Sequence, residues 1–183
     1  MNHSQDRAAV PSGRRFSSRA GDRCVDDIVG LDAVALSCAI RQKAVSCVEV
    51  MAAYLARIDK VNPVFNAIVS LRDHDELLGE AAQRDTELAR GLYHGWMHGF
   101  PHAVKDLAAT RGIVTTMGSP LLAGEVPAQD AIFVERIKRA GAIIVGKTNT
   151  PEFGLGSQTY NPVFGTTGNA YAVSYTHLTL PTN

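Results

Sequence analysis

The sequence has no excess of charge of either sign: its 183 residues carry 18 Lys and Arg against 18 Asp and Glu. A nucleic-acid binder needs a long-range positive field, so no nucleic-acid partner is expected. Long apolar runs are missing as well. None approaches the roughly 20 residues that cross a bilayer, and the first 24 residues hold no apolar h-region of a secretory signal. The expectation is a cytoplasmic protein with no membrane contact. Cysteine is scarce: Cys24, Cys38 and Cys47 are odd in number and form no C-x-x-C pair, which supports neither a disulfide framework nor a zinc knuckle. They read as reduced thiols. A Gly-x-Ser-x-Gly elbow, a Walker loop and a Rossmann fingerprint are all absent.

What is present is ordinary globular composition, 45% hydrophobic and 20% charged, enough for one domain with a core. Residues 1–24 stand apart. Arg7, Arg14, Arg15, Arg19 and Arg23 sit among serines and glycines with little to bury, and the segment reads as a disordered tail. A transit peptide would also be rich in Arg and Ser, but Asp6 and Asp22 weaken that reading, and a start codon assigned too far upstream would look the same.

Beyond the tail, periodicity predicts a helix over 32–43 on Val34, Ala35, Cys38 and Ala39. A second begins at the capping box Ser46/Glu49, carries Val48, Met51, Leu55 and Ile58 on one stripe, and is expected to stop at Asn62-Pro63. Residues 65–71 suit a short strand, and a third helix is expected over 75–90 with Gly91 as its left-handed cap. Residues 99–108 contain an apolar strand ending in Lys105-Asp106, followed by a Gly- and Thr-rich loop over 112–119. Asp130 is placed to cap a helix with Phe133, Val134, Ile137 and Ala140 on its apolar face, ended by Gly141. Ala142 to Val145 reads as a buried strand, Gly146 to Asn149 as a turn, and Thr150-Pro151-Glu152 as a helix start. The alternation predicts an α/β fold, a mixed or parallel sheet flanked by helices.

Two lysines could carry chemistry. Lys105 follows the apolar segment 100–104, so a strand delivers its ammonium to the sheet edge, where desolvation would depress its pKa and make it a base. A strand-end lysine paired with a carboxylate would have the same spacing. Asp106 points to the opposite face and is expected to cap the following turn. Lys147 also ends an apolar strand, and its neighbours Gly146, Thr148 and Asn149 favour a structural turn. Gly154, Gly156 and Ser157 form a small-residue stretch that suits either a ligand or a close backbone crossing. His94, His98 and His102 are four apart, but Gly95, Gly99 and Pro101 prevent one continuous helix, so no shared face and no metal site are expected.

The ordered string Gly99-Phe100-Pro101-His102-Ala103-Val104-Lys105-Asp106, Gly112, Thr115-Thr116-Met117-Gly118-Ser119, Ala140 through Asn149, Pro151-Glu152-Phe153 and Asn161 through Gly165 resembles the N-terminal part of amidase signature family enzymes. Ser46 to Asn62 and Phe65-Asn66-Ala67 resemble the family's lead-in. The resemblance implies hydrolysis of a linear carboxamide by a Ser, cis-Ser, Lys triad, a small-molecule amide as substrate, and no metal or organic cofactor. Lys105 matches the catalytic lysine, which as a neutral amine takes a proton from the cis-serine. Gly154, Leu155 and Gly156 match the stretch that lines the acyl pocket.

The pattern is followed over 25–173 and then departs. Family members continue into a Gly-Gly-Ser-Ser-Gly-Gly loop that supplies the cis-serine and oxyanion amides, whereas this chain reads Ser174 to Asn183 in a form that resembles adapter read-through. Neither Ser157 nor Ser174 has the flanking glycines of an oxyanion nest. The expectation is therefore the first part of an amidase, incomplete in its sheet, ending before both serines and inactive alone. Two alternatives remain: part of the glutamine-hydrolysing subunit of a tRNA-dependent amidotransferase, and a non-catalytic ligand-binding fragment.

Overall fold

The computed structural model describes residues 25–170. The tails expected over 1–24 and 174–183, with Cys24 and Ser174, lie outside the described residues.

The described residues begin with three helices: α1 (Val25–Val29), α2 (Ala33–Arg41) and α3 (Cys47–Phe65). Each of the longer two begins on a side-chain cap, which satisfies amides that have no partner in the first turn. The Asp32 carboxylate accepts from Ala35 N, and Ser46 and Glu49 form the reciprocal capping box. Pro63 does not end α3, which runs on to Phe65. Proline removes one amide donor near the last turn. The stop comes three residues later, where Asn66 adopts left-handed backbone (φ 50°) and Asn62 Oδ1 accepts from Ala67 N and Ile68 N.

After β1 (Ile68–Val69), α4 (His74–Ala89) starts on Asp73 and ends where Gly91 turns left-handed at φ 84°. The Asp85 carboxylate of α4 accepts from Cys47 N and Val48 N, tying the start of α3 to the middle of α4. Next come β2 (Pro101–Lys105), α5 (Ile132–Arg139) and β3 (Ile143–Thr148), a β-α-β crossover, and finally the short pair β4 (Tyr160–Asn161) and β5 (Gly165–Thr166). Among the described residues no helix is long and apolar enough to cross a membrane.

The sheet order is β1-β3-β2, with β3 antiparallel to β1 and parallel to β2. The expected mixed sheet is therefore present, but β3 is longer than expected: Gly146, Lys147 and Thr148 continue the strand instead of turning. Turn-forming residue types are overruled because Gly146 lies against the backbone of Ser70 and Leu71, where a Cβ would come within 2.8 Å of Ser70 O. Asp130 does not cap α5 either. Its carboxylate instead accepts from Arg111 N and Lys138 Nζ, and Ala131 starts the helix with no side-chain bond.

Both faces of the sheet are covered. Leu36, Val50, Met51 and Leu77 pack with Ile143 and Val145 on one side, and Val104, Ala108, Ile113 and Val134 pack with Ile144 on the other. A bulge at Val145 resets this alternation, because His102 pairs with Ile144 and Ala103 already pairs with Gly146. Downstream of it Lys147 is paired with Val104 and shares that residue's face.

Candidate functional site

The carboxyl ends of β2 and β3 are where parallel α/β sheets hold their chemistry. Lys105 and Thr148 are register partners there, as are Val104 and Lys147, so the two lysines sit one register step apart and on opposite faces. Their surroundings differ completely.

Lys147 is fully buried, 0% exposed. Its Nζ donates to Ala108 O at 2.5 Å and to the hydroxyls of Thr110 and Thr115, each at 3.0 Å. Burial pushes its pKa down from 10.5 to about 8, opposed by the fields of Asp106 and Asp130 and aided by that of Lys138. Among the described residues no carboxylate bonds to it. Three neutral oxygens satisfy the ammonium and stitch residues 108–115 to the sheet. The expectation that Lys147 is structural is met by burial, not by a turn.

Lys105 is exposed, which overturns the expectation that the strand end desolvates it. The apolar residues before it fill the core while its own side chain stands on an uncovered part of the sheet edge. Its backbone, by contrast, is held on all sides. Ala108 N donates to Lys105 O, Asp106 N to Thr148 O, and Met117 N to Asp106 O, each at 3.0 Å. Asp106 is buried, and its carboxylate accepts from Thr116 N at 3.1–3.2 Å and Thr116 Oγ1 at 2.7 Å, capping the following loop as its facing away from Lys105 predicts. The main chain at Lys105 is thus fixed, while its side chain is left exposed among the described residues.

A second wall rises beside it. Met117 and Phe153 adopt left-handed backbone, φ 52° and 51°, next to Gly118 and Gly154 in the same region. Non-glycine residues persist there only where surrounding bonds over-determine them. Phe153 N donates to Met117 O at 2.7 Å, and Ser119 Oγ to Glu152 Oε1 at 2.7 Å. Gly154 closes on the segment after Lys105, since a Cβ there would lie 2.8 Å from Leu107 Cδ1. Leu155 is 81% exposed, and Gly156, at φ 147°, passes over Pro151. Of the three candidate pocket residues, Gly154 is thus brought beside the Lys105 end of the sheet, and Leu155 presents its side chain to solvent. Ser157 is exposed.

Sequence reasoning missed the hydroxyl and amide side chains that assemble this edge. Thr115 and Thr116 were legible only as loop composition and Thr110 not at all, although a lysine ending a fully apolar strand demands nearby oxygens. Asn161 Nδ2 donates to Asn149 Oδ1 and Thr150 O, Asn149 Nδ2 to Gly165 O, and Asn66 Nδ2 to Phe164 O, fastening residues 160–168 to the strand ends. His94 and His98 do come together, through a turn and not a helix face. Their rings stack 5.5 Å apart, and His98 Nε2 meets Arg84 O at 3.0 Å.

A family model described as Amidase matches residues 49–177. The chain is 41% identical over 150 residues to a glutamyl-tRNA(Gln) amidotransferase subunit from Acidothermus cellulolyticus, covering 82% of this chain and 30% of the relative. The corresponding amidotransferase subunit from Streptomyces coelicolor is 38% identical over 147 residues, covering 80% and 29%. Among solved structures, the native peptide amidase from Stenotrophomonas maltophilia superposes with a TM-score of 0.70 at 32% identity, over 78% of this chain and 30% of that one. A fatty acid amide hydrolase gives 0.74 at 25% identity, over 79% and 26%. The chain thus spans about 30% of the length of the curated relatives it matches.

Proposed function

The chain belongs to the amidase family, and we propose on that basis that it is the Lys-bearing part of an enzyme that hydrolyses a carboxamide C–N bond by a Ser, cis-Ser, Lys triad. Lys105 is the base of that triad. The observation that carries this reading is the placement of Lys105: a free amine on a tightly bonded main chain, at the carboxyl end of a parallel strand. A general base must be neutral when it acts, and the exposed amine is not desolvated by the described residues. The covering surface has to come from the rest of the parent enzyme, together with both serines. In that enzyme Gly154, Leu155 and Gly156 border the acyl pocket, Gly154 through its contact with Leu107.

A second reading stays within the family. The curated relatives named above are amidotransferase subunits, which supports glutamine as the amide and partner subunits as the context. The solved peptide amidase at 32% identity supports the free-standing enzyme.

The test is made on the parent protein, obtained by reading the source DNA through the codons after Val173. Hydrolysis of an aryl amide that falls by about 10³-fold or more in Lys105→Ala is the expected result. Hydrolysis untouched by that substitution would overturn the assignment of Lys105. Glutamine hydrolysis that needs added partner subunits would select the second reading. The isolated 183-residue chain is expected to show no turnover by this mechanism.

A further inference from the structure

Near the amino end of β3, away from the Lys105 end of the sheet, lies a cleft of about 380 Å³. Its floor includes Ala142 and Ile144, near the amino end of β3. Ile144 is four residues before Thr148, the register partner of Lys105, or about 13 Å along the strand. Four cations line the cleft, Arg72, Arg84, Arg111 and Lys138, with two carboxylates, Glu76 and Glu80. Glu76, Glu80 and Arg84 follow one another at intervals of four along one face of α4, and Arg72, just before the helix, reaches Glu76 and Glu80.

Three of the cations are already engaged. Arg72 donates to Glu80 and to Ile144 O, Lys138 to both oxygens of Asp130, and Arg84 through Nη1 to Glu87, with His94 Nε2 also within 3.2 Å of that nitrogen. Arg111 differs. Its backbone amide goes to Asp130, and among the described residues its guanidinium makes no hydrogen bond or salt bridge, only a longer-range attraction to the Asp130 carboxylate. Arg84 is only half used, because its Nε is buried without an acceptor. The Nε–Nη2 edge of a guanidinium presents two parallel N–H groups, the geometry that grips a carboxylate or phosphate with two bonds. A buried donor left without a partner costs free energy that an incoming acceptor recovers.

We propose that this cleft is a binding site for an oxyanion group, carboxylate or phosphate, held by the guanidinium of Arg111 and by Arg84, whose Nε has no acceptor. The paired Arg72 and Lys138 shape the walls, and Glu76 and Glu80 exclude anions from the α4 end. The site is separate from the strand ends at Lys105 and does not rest on the hydrolase reading.

The test is calorimetric titration of the 183-residue chain with sodium phosphate and with sodium acetate, at ionic strength held constant with chloride. Saturable binding of at least one anion is expected, weakened about tenfold in Arg111→Ala and by at least about fivefold in Arg84→Lys, which keeps the charge and deletes the fork. Lys60→Ala, on the exposed surface of α3, is expected to bind as the parent does. Saturation by phosphate alone identifies a phosphate-bearing ligand, and saturation by acetate alone a carboxylate-bearing one. Absence of saturation with both anions, or parental affinity in either arginine variant, would overturn the proposal.

Discussion

Lys105 and Lys147 end adjacent strands after similar apolar runs, yet one is exposed and the other has no contact with solvent. The bulge at Val145 contributes to this difference by setting which face Lys147 takes. The buried ammonium has a measurable consequence. In the folded chain Lys147 titrates near 8, against 10.5 when unperturbed. The unfolded state therefore binds more protons between those values, and stability must rise with pH across that window. Below pH 8 the full cost of burying the charge is present; above 10.5 it has gone. The gain is on the order of 2–3 kcal/mol. Urea midpoints at pH 7.5 and 10 should show it in the unsubstituted 183-residue chain and not in its Lys147→Met variant, and equal pH dependence in the two would refute it. The sequence made a base of Lys105 and a turn residue of Lys147 because spacing shows that a strand ends in lysine but not which face is covered.

At the scale of elements, the helices were the legible part. Their boundaries come from local chemistry, the Ser46/Glu49 box and the Gly91 cap, which a sequence states outright. The strands were less so, since their limits depend on partners distant in the chain. Gly146 looked like the start of a turn, and only the crossing of Ser70 and Leu71 shows why glycine is needed within β3. Gly146→Ala would push a Cβ to 2.8 Å from Ser70 O and 3.0 Å from Leu71 Cα, both backbone atoms, and is expected to destabilise by about 2–3 kcal/mol. Gly79 in α4 offers the opposite case. Nothing lies within 4 Å of a Cβ there, so Gly79→Ala should stabilise by about 0.5–1 kcal/mol through helix propensity. Denaturant melts of the two variants should move in opposite directions. Asn62 belongs to the same lesson: Asn-Pro reads as a stop, but the asparagine acts by capturing amides five and six residues later.

For the molecule as a whole, the sheet is narrow and open. β2 pairs only with β3 among the described residues, leaving an edge of unpaired backbone groups. Leu121, at 85% exposed, Ile132, at 70%, and Leu155 add apolar surface. The isolated chain is accordingly expected to bind a hydrophobic dye such as ANS and to sediment with a concentration-dependent mass. A single monomeric boundary over a wide concentration range, without dye binding, would show that the edge and patches are self-sufficient. The resemblance covered most of the described chain because its motifs lie in loops and strand ends whose residue types chemistry restricts. The cleft beside Arg84 carried no such motif, since its cations come from α4, α5 and a loop that only folding brings together.

The central strand of the sheet is also the last of its three to be made. On a ribosome adding about 5–20 residues per second, roughly 40 residues separate Lys105 from Ile143, an interval of about 2–8 s. During that time α3 and α4 have each other to pack against, while β1 and β2 have no strand between them. A nascent chain arrested before Ile143 should therefore hold a helical hairpin with two waiting strand edges, the state in which a holdase chaperone would find it.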